Sequence, residues 1–99
     1  MENKISLGLC QGRHSIPQVQ NYIFSQEVNP LDVDGLTRQA VITLFELKKQ
    51  GITAINLYVT GLTVALVAVI NAAITHGITL ILWHFDRETG SYYPQELRS

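Results

Sequence analysis

Charged residues are scarce in this chain, and one long stretch has none. Asp, Glu, Lys and Arg make up only 15% of its 99 residues, whereas about a quarter is usual in globular proteins. None of the four occurs between Gln50 and Phe85. The formal net charge is −1 and the basic residues do not cluster. A duplex nucleic-acid binder, which needs many phosphate contacts, is therefore not expected.

Cysteine is also nearly absent, since Cys10 is the only one. A single cysteine excludes an intramolecular disulfide and a multi-cysteine zinc site. Lys4 is followed by Gly8 and Gln11 rather than by an apolar run, so no signal-peptide pattern is seen. We therefore expect a reducing, cytoplasmic setting.

The uncharged stretch has nearly the length of a membrane span over residues 57–75. However, Thr60, Gly61 and Thr63 interrupt it, and its first third is rich in β-branched residues. That composition favours a strand followed by a turn over a continuous helix. We therefore expect no membrane contact.

The same stretch is typical of a β-α-β unit. Residues 55–60 and 78–85 are apolar and β-branched, and the apolar segment 62–74 between them has the length of a helix. Gly61 marks the turn into this helix and Gly77 its end. A right-handed crossover of this kind joins two parallel strands.

The remaining elements surround this unit. Residues 4–9 predict a first strand with Ile5, Leu7 and Leu9 on one face. Residues 19–24 predict a short edge strand or an extended arm.

Two further elements carry turn and cap signals. Residues 36–49 predict a one-faced helix, with Asp34 as its N-cap and Gly51 just beyond its end. Residues 91–97 predict an antiparallel edge strand, the position where Pro94 is tolerated.

Together these elements predict a single α/β domain over residues 1–99. We expect a small Rossmann-like fold of three layers, with a mostly parallel sheet and an antiparallel C-terminal edge strand. The helix at 62–74 is apolar almost all round, so a second copy should cover part of it. A homodimer or higher oligomer follows, with Val64, Val67, Ala68 or Asn71 near the interface.

Polar residues gather at the carboxyl ends of the predicted parallel strands, where α/β proteins bind ligands. The three loops there contain Gln11, Gly12, Arg13, His14 and Ser15, then Thr60, Gly61, Leu62 and Thr63, then His84 and Asp86. Arg13 would contact a phosphate through its guanidinium group. The backbone N–H groups that open the second helix would hold another phosphate. We predict a ligand site at this edge, with no cofactor.

Each of these three loops also has a structural interpretation. The loop with Gly12, Arg13 and His14 could be an ordinary solvated loop. Gly61 could serve only the turn, and Thr60 or Thr63 could cap the helix. His84 could be a half-buried, hydrogen-bonded histidine, and Asp86 could start a turn.

Catalytic and metal motifs are absent from the sequence. His14, His84 and Asp86 lack the spacing of metal ligands. There is no Walker loop, no G-x-G-x-x-G motif and no nucleophile elbow.

Residues 57–63, the apolar helix after them and the strand at 78–86 resemble the CARF fold. That family comprises CRISPR-associated Rossmann-like domains and their small stand-alone relatives, the ring nucleases. The resemblance implies a dimer that binds a cyclic oligoadenylate across its two-fold axis. The ligand loops would be residues 11–15 and 60–63. In size and oligomeric character the chain is also similar to phage proteins that sequester nucleotide immune signals.

We therefore expect a protein that binds and sequesters a nucleotide-derived second messenger of antiviral defence or anti-defence. The ligand would be a cyclic oligonucleotide or an ADP-ribose-type molecule. The alternative is a metal-independent ring nuclease with His14 as the base, or His84 if its side chain points out of the strand's end. Neither loop has a lysine to stabilise a pentacoordinate phosphate, which favours binding over cleavage. A third interpretation is a protein-interaction module without a small ligand.

Overall fold

The computed structural model describes residues 3–12, 16–25 and 28–97. These residues form, in chain order, β1 (Lys4–Cys10), β2 (Tyr22–Phe24), α1 (Val33–Lys49), β3 (Ala54–Tyr58), α2 (Thr63–His76), β4 (Thr79–Asp86) and β5 (Ser91–Leu97). The strands make one sheet in the order β2-β1-β3-β4-β5. β1 to β4 are parallel, and β5 is antiparallel to β4. The predicted mostly parallel sheet with an antiparallel C-terminal edge strand is confirmed.

The main core lies between the two helices and one face of the sheet. Leu9 and Leu57 are fully buried there, and Leu80 and Leu82 nearly so. Ile5 and Leu7 of β1 pair laterally with Ile55 and Leu57 of β3, so they share this face. The predicted inward face of the first strand is confirmed.

The fold has two layers, whereas the sequence interpretation expected three. α1 and α2 pack against each other, which places both on the same face of the sheet. The reason is the direction of the crossovers. β2 to β3 and β3 to β4 step the same way across the sheet, and right-handed crossovers in one direction lie on one side. The described residues between β1 and β2 form no helix, so they add none to the other side.

Helix α1 begins three residues before its predicted start and uses a different cap. Asp32, not Asp34, is the N-cap residue, and its Oδ1 accepts a hydrogen bond from the Gly35 N–H at 3.0 Å. Asp34 lies in the first turn, where its charge still favours the positive helix end. Gly51 follows the helix with a φ of +90°, in the left-handed region expected of a residue just beyond the end.

Helix α2 covers the sheet with one side only. Ala68 is 4% exposed and belongs to the subunit's own core, so it is not available for the predicted interface. Val67 is 49% exposed and Asn71 is also exposed. Gly77 ends the helix in the left-handed conformation, as predicted. No helix in the described part of the chain is both long and apolar enough to cross a bilayer.

The other face of the sheet, here called the helix-free face, carries an aromatic cluster. Tyr58 stacks on Trp83 with ring centroids 5.8 Å apart. Tyr92 contacts Tyr58 edge-on, with ring centroids 5.0 Å apart. Ile16 and Val19 from the loop between β1 and β2 cover part of this cluster. By strand register the face includes Lys4, Ser6, Gly8, Tyr22, Ala54, Asn56, Tyr58, Thr79, Ile81, Trp83, Phe85, Tyr92, Pro94 and Glu96.

Candidate functional site

The carboxyl ends of β1, β3 and β4 lie side by side, because these strands are parallel neighbours. The loops that follow them therefore meet at one edge of the sheet, as the topology of the predicted site requires. Arg13, His14 and Ser15 of the first loop lie outside the described residues. Their predicted roles stay predictions.

Thr60 fastens two of these strand ends together. Its Oγ1 accepts a hydrogen bond from the Cys10 N–H at 3.0 Å and donates one to the Cys10 carbonyl oxygen at 2.9 Å. This pair continues the contact between β1 and β3 beyond their last ladder pair, Gly8 with Tyr58. Thr60 caps no helix, and its hydroxyl is committed to the backbone. Its contribution to the edge is to fix where the first loop leaves the sheet.

Gly61 makes the turn that carries the chain from β3 into α2. Its backbone φ angle is +30°, a conformation that residues other than glycine rarely adopt. The Leu62 N–H donates to the Thr60 carbonyl oxygen at 2.6 Å, which closes the turn tightly. A Cβ placed on Gly61 would meet no atom within 4 Å. The turn thus leaves the backbone at this point open to solvent.

The N-terminus of α2 differs from that of α1 in how it is capped. In α1 the Asp32 carboxylate accepts from a first-turn N–H, so the anion is supplied by the chain itself. In α2 the N-cap residue is Leu62, which has no side-chain acceptor, and the first turn contains no acidic residue. Thr63 is the first helical residue and its side chain is exposed. The positive end of α2 is therefore left to solvent or to a ligand.

Gln11 and Gly12 begin the first loop and are both exposed. The Gln11 N–H donates to the Phe24 carbonyl oxygen at 3.0 Å, which ties the start of the loop to β2. A Cβ on Gly12 would meet no atom within 4 Å. The loop therefore starts from a fixed point, and Gly12 is open to solvent.

His84 lies on the helix-side face of β4 and contacts β5. Its Nε2 is 2.9 Å from Gln95 Oε1, and its ring centroid is 5.4 Å from that of Tyr93. These contacts match the structural interpretation of a half-buried, hydrogen-bonded histidine. The sequence interpretation missed Gln95, although its place two residues beyond Tyr93 on the return strand puts it on the same face.

Asp86 organises the turn between β4 and β5. Its Oδ1 accepts from the Glu88 N–H at 2.9 Å, and its carbonyl oxygen accepts from the Gly90 N–H at 2.8 Å. The structural interpretation of Asp86 as a turn residue is thus met. It shapes the loop at the β4 end of the edge.

Burial changes the acidity of one group at this edge. Cys10 is half-buried at the end of β1, and desolvation raises the pKa of its thiol above the ordinary value. The thiol is therefore held in its neutral form at physiological pH. It is a poor nucleophile in this position.

Within residues 3–12, 16–25 and 28–97, no three His, Cys, Asp or Glu side chains come together as metal ligands would.

Comparisons with protein-family models, with curated proteins and with solved structures found no match for this chain.

Proposed function

We propose that this protein binds a phosphate-bearing, nucleotide-derived signalling molecule at the carboxyl edge of its sheet and sequesters it without cleavage. The observation that carries the proposal is the start of α2. An open glycine turn leads into a helix end with no carboxylate of its own, beside the ends of two neighbouring parallel strands.

The turn offers donors rather than a charged side chain. First-turn N–H groups of a helix point along its axis and carry a partial positive charge, which suits a phosphate oxygen. Gly61 has no side chain, and a Cβ built on it would meet no atom within 4 Å. A ligand would therefore have room to approach the backbone at this point. Thr60 holds this turn against β1, so the donors would be positioned before the ligand arrives.

Arg13 supplies the charge in this proposal. It is the only Lys or Arg in the loop at residues 11–15, and guanidinium contacts phosphate in a bidentate way. Together with the α2 turn it would hold two phosphates of one ligand, or one phosphate from two sides. A cyclic oligoadenylate, or an ADP-ribose-type molecule, is the class of ligand we propose, in a Rossmann-like site.

Sequestration is favoured over cleavage by the position of His84. A general base must reach the proton that it removes. His84 is instead engaged with Gln95 on β5. His14 would then be the remaining histidine at this edge. To bind a phosphate or a nucleobase, His14 would need no catalytic partner beside it.

The experiment is calorimetric titration with cyclic oligoadenylates and ADP-ribose, using variants that separate binding from folding. Thr63→Asp places a carboxylate at the positive end of α2. It should stabilise the helix by about 0.3–1 kcal/mol and repel an anionic ligand. Asn71→Asp adds the same charge two turns further along α2, at an exposed position, and serves as the matched control. Binding should be lost in Thr63→Asp and kept in Asn71→Asp.

Arg13→Ala should weaken the same binding by about 1.5–3 kcal/mol, the range for a hydrogen bond to a charged group. If Thr63→Asp and Arg13→Ala both bind as tightly as the unmodified protein, the ligand site is not at this edge. If no member of the panel binds, the proposed ligand class is wrong.

A further inference from the structure

The carboxyl end of β4 and the start of β5 are open on the helix side of the sheet. α2 contacts β4, whereas the contacts of β5 are mainly with β4. β4 is followed by a turn and an antiparallel strand instead of a crossover helix, so β5 gains no helix of its own. Tyr93, on this side of β5, is therefore left 53% exposed.

Tyr93, His84 and Gln95 form one connected group, here called the Tyr93 platform. Tyr93 lies directly opposite His84 in the β4–β5 ladder, and their ring centroids are 5.4 Å apart with an angle of 36° between the planes. His84 Nε2 lies 2.9 Å from Gln95 Oε1. Because a carbonyl oxygen only accepts, this contact requires the His84 proton on Nε2. Gln95 thus orients the His84 ring, and that ring lies against Tyr93.

The chemistry of the Tyr93 platform suits a nucleobase. Exposed aromatic rings bind bases by stacking, since every base has a π face. Gln95 also has an amide NH₂ group, which can donate a hydrogen bond to a ring nitrogen of a base. The platform therefore combines a flat surface with a donor beside it, as recognition of a flat ring with acceptor atoms requires.

Charge limits which part of a nucleotide can bind here. Asp86 lies two residues beyond His84 in β4, so it is on the same face of the sheet. Its carboxylate would repel a phosphate group. An uncharged base meets no such repulsion. The phosphate of the ligand would therefore stay at the start of α2, and the base would face β4 and β5.

The two places lie within reach of one ligand. The Val59 N–H donates to the Trp83 carbonyl oxygen at 3.0 Å, so β3 and β4 are still paired at the residue before His84. β5 is two strand spacings from β3, a distance of about 10 Å. The turn at Gly61 leads from β3 into α2, which lies on the same side of the sheet as the platform. A nucleotide, whose ribose separates base from phosphate, can contact both.

We propose that Tyr93 stacks on a nucleobase of the ligand and that Gln95 donates a hydrogen bond to the edge of that base. This inference rests on the proposed function for the position of the phosphate. It adds the reason for which the site would select nucleotides over other phosphate esters. It assigns binding roles to two residues of β5, a strand that contributes nothing to the phosphate site.

The test compares AMP with ribose 5-phosphate, which has the same sugar and phosphate and lacks the base. Calorimetric titration should show AMP bound roughly tenfold more tightly by the unmodified protein. Tyr93→Leu should weaken AMP binding by roughly tenfold, as expected for the loss of a stacked aromatic ring, and leave ribose 5-phosphate binding unchanged. Tyr93→Trp keeps an aromatic ring and should keep the preference for AMP.

Phe85→Leu is the matched control, because Phe85 is 50% exposed on the helix-free face. It should bind both compounds as the unmodified protein does. Stacking itself is measured with 2-aminopurine riboside 5′-monophosphate. Its fluorescence should be quenched on binding to the unmodified protein and to Phe85→Leu, and not on binding to Tyr93→Leu. Far-ultraviolet circular dichroism checks that each variant is folded.

The outcomes separate this inference from the proposed function. If AMP and ribose 5-phosphate bind equally and Tyr93→Leu changes neither, the base site is wrong and the phosphate site stands. If Phe85→Leu weakens AMP binding as much as Tyr93→Leu does, the Tyr93 platform is not the base site. If the unmodified protein binds neither compound, both proposals are overturned.

Discussion

Thr60 and Cys10 join the carboxyl ends of β3 and β1 through a reciprocal pair of hydrogen bonds, with the Thr60 hydroxyl acting as both acceptor and donor. Thr60→Val keeps the shape of the side chain and removes both bonds. Because the site is half-buried, the Cys10 backbone groups would lose partners that solvent replaces poorly. We expect the free energy of unfolding to fall by about 1–3 kcal/mol, measured by urea denaturation. Thr60→Ser keeps the hydroxyl and should cost less, and equal losses in both variants would show that the methyl group matters as much as the two hydrogen bonds.

Gly8 and Tyr22 touch where β1 passes β2. A Cβ built on Gly8 overlaps the Tyr22 ring, and the Tyr22 hydroxyl accepts a hydrogen bond from the Ile16 N–H at 3.1 Å. The ring therefore cannot move away without losing that bond. Gly8→Ala should destabilise the fold by about 1–3 kcal/mol, as overpacking does. Gly12→Ala, where a Cβ meets no atom within 4 Å, is the matched control for thermal unfolding. A Gly8→Ala protein as stable as the control would mean that the contact relaxes freely.

The contribution of the Cys10 thiol to stability should depend on pH in a defined direction. Burial raises its pKa in the folded protein, so folding favours the neutral thiol. That contribution to stability is complete below the ordinary thiol pKa and is lost as the pH rises through the raised one. At mildly alkaline pH, iodoacetamide should alkylate Cys10 more slowly in the folded protein than in urea. Equal rates in the two states would contradict the burial of this thiol.

The helices and long strands of this fold follow from local patterns. Ile5, Leu7 and Leu9 alternate as a half-buried strand does, and Gly77 and Gly51 end helices because they adopt the left-handed conformation. The cap of α1 was harder to place, since Asp32 and Asp34 are both acceptable residues at a helix start. Only the chain's path from Asn29 into the helix selects Asp32, whose N–H donates to the Asn29 carbonyl oxygen.

The layer count could not be read from the same patterns. β4 is an almost continuous apolar run, which is typical of a strand covered on both faces. The pairing of Trp83 with Asn56 shows why this subunit differs, since its second face is aromatic and carries hydrogen-bonded polar groups instead of a helix. The alternation of Asn56 and Tyr58 with Ile55 and Leu57 in β3 was the available signal. How this alternation should be interpreted depends on the strand order, and long-range contacts determine that order.

The position of the candidate site in the fold could be predicted from the sequence, but most of its side-chain contacts could not. Parallel strands bring their carboxyl ends together, so the topology alone puts the Thr60 to Thr63 turn beside the loop after β1. The hydroxyl of Thr60 and the ring of His84 are bound to Cys10 and Gln95, partners 50 and 11 residues away in the chain. Side-chain partners at such separations are set by the fold and leave no local pattern.

Recovery of the bound ligand distinguishes sequestration from cleavage. Excess protein is mixed with a cyclic oligoadenylate, the free ligand is measured after ultrafiltration, and the retained complex is heated and analysed by mass spectrometry. Sequestration predicts that the filtrate is depleted and that heating returns the ligand with its ring intact. An undepleted filtrate would contradict binding. Linear or shortened products that disappear in His14→Ala, while that variant still depletes the filtrate, would show that the protein cleaves its ligand.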